Sequence, residues 1–154
     1  KTGDPKAYRL PVPHVEGKYN VSFSGLKTAV LNEVNQAQMK GTDINVPDLA
    51  ASFQERIAGI LAEKLLLAAA DTGAKQVCLA GGVAANSRIR GDFQAACDAA
   101  GIRLFVPPLK LCGDNAAMIG CQAYYEYLRG ARAGSELNAW ANMEISEVPF
   151  YGRA

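Results

Sequence analysis

The sequence predicts an α/β fold in which a central, mostly parallel sheet is flanked by helices. Short apolar runs rich in strand-forming residues alternate with longer runs of helical periodicity, as in layered α/β proteins. Two of the predicted strands are each followed by a polar turn and a helix, which is the order of parallel connections. With 154 residues, of which 49% are apolar, the chain is long enough to bury a core of its own.

The first predicted elements are a lead-in, a strand and a helix. Residues 1–18 are rich in turn-forming residues and show no core pattern. Residues 19–24 alternate apolar and polar side chains, which is typical of a half-buried strand. Ser24 is then a suitable N-cap for a helix over residues 26–39, whose apolar positions lie on one face.

A long second helix follows a polar loop. Pro47 suits the first helical position, and Asp48 is favourable at the positive end of the helix dipole. A broad apolar stripe continues to about Ala70, and Gly73 is placed like a glycine that ends a helix. These features predict one continuous helix between the loop and Gly73.

The second half of the chain repeats a strand–turn–helix pattern. Strands are predicted over residues 76–80 and 102–106, and the helix between them covers residues 86–100. Either Asp114 or Asn115 caps the last helix, which ends just before a glycine. The alternation of strands and helices predicts parallel neighbours in the sheet.

The elements suggest three parts of the chain. Residues 1–18 are the irregular lead-in, residues 19–130 form the α/β lobe, and residues 131–154 form a C-terminal tail with weak periodicity. We expect this tail to wrap around the lobe or to be partly mobile. Because the first residue is lysine, we also expect the chain to start in the middle of a longer protein.

Composition and charge exclude several classes of protein. Sixteen basic and fifteen acidic residues give a net charge of +1, so no global basic field predicts nucleic-acid binding. A local basic rim remains an alternative to ordinary solvated surface. Its residues are Lys27, Arg88, Arg90 and Lys110. No apolar run approaches the roughly 18 residues of a membrane span. The four cysteines lack metal-type spacing, which favours reduced thiols in a cytoplasmic protein.

The turn after residues 76–80 has the form of a phosphate or nucleotide cradle. Gly81 and Gly82 allow the backbone to approach a ligand closely and to adopt a positive φ at little cost. The next helix directs unpaired N–H groups and its positive dipole end at this turn. The amide of Asn86 either caps that helix or binds a ligand. A tight connection without function stays open, since the sequence contains no P-loop or dinucleotide fingerprint.

Asp114 is the candidate metal ligand of the second turn. It follows a predicted buried strand, at the edge where ligands collect in open α/β sheets, and we expect it to face the same polar hollow as Asn86. A carboxylate suits a divalent cation, but an iron or zinc site needs further protein ligands. The only histidine, His14, lies in an irregular segment, so the other ligands must come from elsewhere.

Three stretches of the sequence resemble the TsaD family, also called the Gcp or YgjD proteins. They are SFSGLKTAV from Ser22, LAGGVAANSRIR from Leu79 and CGDNAAMIG from Cys112. Their order and their spread over most of the chain argue against chance similarity. The resemblance covers the C-terminal half of such a protein, without its N-terminal half. Within the first stretch, Ser24 and Lys27 have no assigned role.

The resemblance implies the C-terminal part of an actin-like, Hsp70 and sugar-kinase type of ATPase fold with two lobes. The implied activity transfers threonylcarbamoyl from threonylcarbamoyl-AMP to the adenosine beside the anticodon of tRNA. The implied ligands are that adenylate or an ATP-like nucleotide, together with a mononuclear iron or zinc ion. The implied partners are tRNA and the accessory proteins TsaB and TsaE, and no membrane is involved.

Individual residues carry over from the family to this chain. By this resemblance, Gly81 and Gly82 line the nucleotide pocket and Asn86 contacts the nucleotide. Asp114 completes the metal site, whose other two ligands belong to a histidine pair absent from this chain. No catalytic residue is assigned, and the chain alone is expected to be inactive. Gly113 departs from the family, in which threonine is common, so a hydroxyl beside the metal ligand is lost.

Three other functions remain open. The older description of the family is a metal-dependent O-sialoglycoprotein endopeptidase, although the chain has no HExxH helix. A sugar-kinase-like phosphotransferase would use the glycine turn for ATP. A non-catalytic interaction module would use the long apolar helix to dock a partner or a second copy, and exposed apolar surface would then favour self-association.

Overall fold

A computed structural model of the chain describes residues 2–139 and 141–143. Within these residues there are four α-helices and two β-strands. They are α1 (Ser24–Lys40), α2 (Val46–Thr72), β1 (Gln76–Cys78), α3 (Ser87–Ala99), β2 (Arg103–Phe105) and α4 (Ala116–Leu128). Short turns of 3₁₀ helix at Gly82–Ala85 and Leu109–Leu111 follow the two strands. The chain divides into two compact units, Lys1–Cys112 and Gly113–Ala154, and α4 lies in the second.

The two strands form a parallel sheet, which confirms the predicted parallel pairing and is compatible with the predicted α/β class. Val77 lies opposite Leu104 in the register, and the N–H of Leu79 extends the ladder with a 2.9 Å hydrogen bond to the carbonyl of Phe105. Each strand is three residues long and therefore shorter than predicted. Two residues beyond β2, Pro107 has no N–H with which to continue the ladder.

The predicted strand over residues 19–24 is wrong. The segment is irregular, and Tyr19 and Val21, two of its apolar residues, are 47% and 39% exposed. A strand needs a neighbour for its backbone hydrogen bonds, and within residues 2–139 and 141–143 the sheet contains only β1 and β2. Alternation alone therefore does not produce a strand here.

Ser24 is the first residue of α1 rather than its N-cap, so this prediction is also wrong. Phe23 occupies the cap position and makes no side-chain capping bond. The hydroxyl of Ser24 lies 3.0 Å from that of Ser22 and does not bond to the helix N–H groups. The helix itself is confirmed, with Leu26 completely buried on its apolar face.

The second helix has the predicted length and both predicted ends within about two residues. Asn45 is the N-cap, and its side-chain oxygen accepts a 3.2 Å hydrogen bond from the N–H of Asp48. Pro47 is the second rather than the first helical residue. Gly73 ends the helix with φ of +67°, a left-handed conformation that favours glycine.

The lead-in is bound along α2, which the sequence pattern did not predict. The N–H of Asp4 donates to the carboxylate of Asp48 at 2.7 Å, and the N–H of Tyr8 donates to the hydroxyl of Ser52 at 3.1 Å. Leu10 is buried, with 3% of its surface exposed. The lead-in therefore contributes to the core of the first unit.

The core of the first unit holds α3 against α2 and the sheet. Its buried centre consists of Ala58 on α2 and of Ile89 and Phe93 on α3. Partly buried apolar residues surround this centre. They are Ile57, Leu61, Ala62, Leu65, Leu79 and Leu104. Because Leu79 and Leu104 belong to the strand region, the same core fixes the start of α3 beside the end of β1.

The second unit contains the most apolar helix of the described chain, and no residue of α4 is buried. Six large apolar side chains of this helix are between 52% and 64% exposed. They are Met118, Ile119, Tyr124, Tyr125, Tyr127 and Leu128. A search of the described residues finds no helix both long and apolar enough to cross a bilayer.

Candidate functional site

The turn after β1 depends on glycine at one of its two glycine positions. Gly81 has φ of +88° and ψ of 172°, a region of backbone conformation that is open essentially to glycine alone. Gly82 does not have a positive φ and begins the 3₁₀ turn. The two neighbouring glycines therefore differ, because only the first is required by the backbone.

The same turn presents unused backbone groups to open space. A Cβ atom added at Gly81 or Gly82 would meet no other atom within 4 Å. The N–H groups of Gly81, Gly82 and Val83 have no hydrogen-bond acceptor among the residues that the structure describes. Exposed backbone N–H groups in a turn before a helix are suited to bind the oxygen atoms of a phosphate or another polar ligand.

Asn86 is the N-cap of α3. Its side-chain oxygen accepts hydrogen bonds from the N–H groups of Arg88 at 2.9 Å and Ile89 at 3.1 Å. Its Nδ2 donates to Oε1 of Gln54 at 2.9 Å. Capping is therefore observed, and one N–H of the Asn86 amide has no assigned acceptor within the described chain. A ligand can bind to that remaining donor while the cap stays intact.

Sequence reasoning missed Gln54. It lies on α2, 32 residues before Asn86, and its amide oxygen fixes which way the Asn86 amide points. No local pattern in the sequence marks Gln54, because the contact depends on the packing of α2 against α3.

The two arginines of the predicted basic rim are bound to the protein itself. Nε of Arg88 lies 2.8 Å from both carboxylate oxygens of Asp92, and its Nη2 also pairs with Glu55. The hydrogen bond to Asp92 is the main cause of the raised pKa of Arg88. Arg90 donates to the main-chain carbonyls of Ala84 and Pro107. Of the predicted rim, only Lys27 and Lys110 are exposed without such partners in the described residues.

In the second unit, Asn115 rather than Asp114 caps the helix. Oδ1 of Asn115 accepts a 3.0 Å hydrogen bond from the N–H of Met118, and its Nδ2 donates to the carbonyl of Gly113 at 3.0 Å. Asp114 is exposed, and its carboxylate forms no hydrogen bond or ion pair with a described residue. The carboxylate of Asp114 is therefore not used by the local fold.

Gly113 is not required by the backbone. It does not have a positive φ, and a Cβ at this position would meet no atom within 4 Å. A side chain such as threonine would therefore fit at this position.

The described residues contain one candidate metal ligand, Asp114, and no complete metal site. No group of three or more His, Cys, Asp or Glu side chains that could hold a metal occurs among them. The free carboxylate of Asp114 has the donor chemistry that iron or zinc accepts at one coordination position. Asp114 and Asn86 belong to different units of the chain. That both side chains face the same polar hollow therefore stays a prediction.

The fold and the turn together define a class of protein. It is an α/β protein in which a turn follows a parallel strand, at the edge of the sheet where such proteins bind their ligands, and three N–H groups of this turn have no acceptor in the described residues. The free acidic side chain of Asp114 follows the second strand in the chain and adds a candidate metal ligand.

The chain belongs to the TsaD family, whose model is described as tRNA N6-adenosine threonylcarbamoyltransferase and matches residues 1–121. Proteins with that name are similar to it in several bacteria. The Moorella thermoacetica protein is 46% identical over 149 residues, which cover 95% of this chain and 43% of the relative. The Symbiobacterium thermophilum protein is 49% identical over 139 residues, covering 90% and 40%. The chain therefore spans less than half the length of these relatives.

Proposed function

We propose that this chain provides the nucleotide-binding turn and one metal ligand of a tRNA N6-adenosine threonylcarbamoyltransferase with a two-lobed, actin-like fold. The observation that carries the proposal is the turn at Gly81, where a glycine-only conformation starts a run of three backbone N–H groups that have no acceptor in the described residues. This turn lies inside the region that matches the family. The proposed nucleotide is threonylcarbamoyl-AMP or a related adenine nucleotide.

The turn recognises the nucleotide through its backbone and through one amide. The free N–H groups of Gly81, Gly82 and Val83 donate to phosphate oxygens, and the missing side chains at the two glycines permit close approach. The remaining N–H of Asn86 donates to an oxygen of the nucleotide. Gln54 holds the amide of Asn86 in the orientation that leaves this donor free.

Asp114 takes one coordination position of a mononuclear iron or zinc site. An ion bound there would supply Lewis-acid polarisation of the carbamoyl carbonyl. The described residues hold no group of three metal-binding side chains, so a complete site would need ligands in addition to those that they supply. This chain on its own therefore supplies one wall of the pocket and is expected to be inactive.

The proposed reaction is an acyl transfer to tRNA. N6 of the adenosine attacks the carbamoyl carbon, a new N–C bond forms, and the bond from that carbon to the AMP oxygen breaks. AMP leaves with the electron pair, and N6 loses a proton. The protein accelerates this step mainly by aligning the adenosine amine with the bound adenylate. We include tRNA, TsaB and TsaE as the proposed partners.

The test supplies the full-length gene product with threonylcarbamoyl-AMP and with tRNA that reads ANN codons. Nucleoside mass spectrometry then measures the threonylcarbamoyladenosine that is formed. We expect the modified nucleoside with the unaltered protein, and a decrease of roughly 100-fold or more with Asp114→Ala, because second-shell changes at metal sites alone cost about 10–100-fold. Asp43→Ala, in the exposed loop between α1 and α2, is the matched control and should retain activity.

A failure of the unaltered protein would contradict the proposal if the Moorella thermoacetica relative modifies the same tRNA under the same conditions. Equal activity of Asp114→Ala and the unaltered protein would contradict the assignment of Asp114. In that case the metal ligands would have to be sought among other residues.

A further inference from the structure

Arg90 joins three separate parts of the first unit. Its Nε donates to the carbonyl of Ala84, which lies in the 3₁₀ turn after β1. Its Nη2 donates to the carbonyl of Pro107 at 2.8 Å and to the sulfur of Cys112 at 3.0 Å. Pro107 follows β2, and Cys112 ends the 3₁₀ turn beyond it. One side chain thus binds the segments that follow both strands.

The chemistry of this contact suits a rigid link. A guanidinium has five donors in a fixed plane and can bind several acceptors at once, which a lysine ammonium does with much less geometric control. Hydrogen bonds from a charged donor are also stronger than neutral ones. Two of the three acceptor residues, Ala84 and Cys112, are buried at 0% and 4% exposure. The link is therefore partly buried.

Arg88 shows that the link is specific to Arg90. The two residues lie on the same helix, two positions apart, but Arg88 pairs with Asp92 on α3 and Glu55 on α2. Its contacts join two helices and reach neither of the segments after the strands. Among the described residues Arg90 has no carboxylate partner, and its contacts are two carbonyls and a thiol.

We propose that Arg90 is a positioning residue, which holds the ligand-binding turn at residues 81–86 at a fixed separation from the segment at residues 107–112. Neighbouring parallel strands end at the same edge of a sheet, so these two segments border the place where such a fold binds its ligand. The inference rests on the proposed function only in taking the ligand to be a nucleotide. The segment at residues 107–112 also leads, along the chain, to Asp114.

The first test measures the affinity of the full-length gene product for adenosine 5′-(β,γ-imido)triphosphate by isothermal titration calorimetry. We expect Arg90→Ala to bind on the order of ten-fold more weakly, equivalent to about 1.4 kcal/mol. Arg90→Lys should lie between Arg90→Ala and the unaltered protein, because an ammonium cannot reach all three acceptors in the same geometry. Arg88→Ala should bind as the unaltered protein does. Unfolding midpoints of all variants show that each of them is folded.

The second test measures amide hydrogen exchange and does not depend on any ligand. Arg90→Ala should exchange faster at the hydrogen-bonded amides of both segments, whereas Arg88→Ala should change neither segment. These amides are those of Ala84 and Asn86 in the first segment and of Leu111 and Cys112 in the second. Adding methylguanidinium should slow the exchange of Arg90→Ala in both segments again. Exchange that changes only within α3, or an Arg90→Ala variant that binds the nucleotide analogue normally, overturns the inference. If the unaltered protein does not bind the analogue, the nucleotide assignment is wrong, and the exchange comparison still decides the role of Arg90.

Discussion

Asn115 and Asp114 are adjacent in the sequence, but only Asn115 caps α4. Asn115 satisfies the N–H of Met118 at the start of α4, so the helix does not need the carboxylate of Asp114. Because a carboxylate can also cap a helix, the sequence leaves the two residues indistinguishable. In the structure, the amide of Asn115 is the group that caps the helix.

This difference between the two residues predicts that substituting each of them affects a different property of the protein. Asn115→Ala should lower the free energy of unfolding by about 1 kcal/mol, the usual cost of losing an N-cap. Asp114→Ala should leave stability unchanged and lower the metal content of the full-length gene product. Chemical denaturation and elemental analysis measure the two effects. A loss of stability in Asp114→Ala equal to that in Asn115→Ala would contradict the assignment.

The two glycines of the turn give a second matched pair. Gly81→Ala should destabilise the protein by about 1–3 kcal/mol, because φ of +88° is strained for any residue with a side chain. Gly82→Ala meets no such strain and no neighbouring atom, so its stability should be nearly unchanged.

The informative measurement is nucleotide affinity in the folded Gly82→Ala protein. A methyl group at Gly82 projects into the space where we place the ligand, so affinity should fall although the protein is folded. Gly91→Ala, on α3, is the control, since it too meets no atom within 4 Å. Unchanged nucleotide binding by Gly82→Ala would mean that the ligand does not approach this backbone.

At the scale of residues, the sequence predicted the local contacts and missed the distant ones. Asn86 was a candidate cap because of its position before a helix, and it is that cap. Gln54 and Arg90 were not predicted in their roles, because their partners lie 32 and up to 22 residues away. Such contacts depend on tertiary packing, which a local pattern does not contain.

At the scale of elements, one exposed cluster connects the end of α2 to the lead-in. The carboxylate of Asp71 lies 2.5 Å from the ammonium of Lys18 and accepts a 2.6 Å hydrogen bond from the hydroxyl of Tyr19. The hydrogen bonds from Lys18 and Tyr19 are the main causes of the lowered pKa of Asp71.

This cluster predicts a pH dependence of stability. A carboxyl whose pKa is lowered on folding stabilises the protein above its unfolded pKa of about 3.9, and the contribution is lost as pH falls through the lower folded pKa. Asp71→Asn should therefore unfold at a lower temperature than the unaltered protein at pH 6, and the difference should shrink steadily toward pH 2. Thermal unfolding followed by circular dichroism measures it. A difference that does not change with pH would show that the cluster stabilises by packing alone.

Helices were predicted more accurately than strands, for a physical reason. A helix makes its hydrogen bonds within one segment, so caps and periodicity identify it, as they do at Asn45 and Gly73 of α2. A strand depends on a neighbour, and residues 19–24 have none in the described structure. The parallel pair β1 and β2 was predicted because a helix connects the two strands.

At the scale of the whole molecule, the apolar surface of α4 has a consequence for behaviour in solution. A helix that is apolar on most sides is normally covered. We predict that the 154-residue chain, expressed alone, self-associates and sediments above its monomer mass of 16.3 kDa. Replacing Met118, Tyr125 and Leu128 together by Gln should shift it toward the monomer, because these positions share one side of the helix.

The control for this prediction is Met39→Gln on α1, whose side chain is 87% exposed and lies away from α4 in sequence. It should leave sedimentation unchanged. A chain that is monomeric at its highest soluble concentration would contradict the prediction.

Among the properties of the whole molecule, the family was the easiest to predict from the sequence, and the complete site was the hardest. The glycine turn and the helix start at Asp114 carry the resemblance, and the family model that matches residues 1–121 confirms it. The proposed metal site could not be derived in full, because a single candidate ligand such as Asp114 defines no coordination geometry.

One last consequence concerns the length of α2. Its first half contacts the lead-in at Asp48 and the N-cap of α3 through Gln54, and its last turn contacts Lys18 through Asp71. An inserted residue rotates everything beyond it by about 100° and moves it along the axis by about 1.5 Å. A single insertion or deletion between Gln54 and Asp71 would therefore misalign one set of contacts with the other. We expect insertions and deletions to be tolerated in the loop before α2. Inside the helix they should destabilise the protein, because the length of α2 fixes the relative positions of its two sets of contacts.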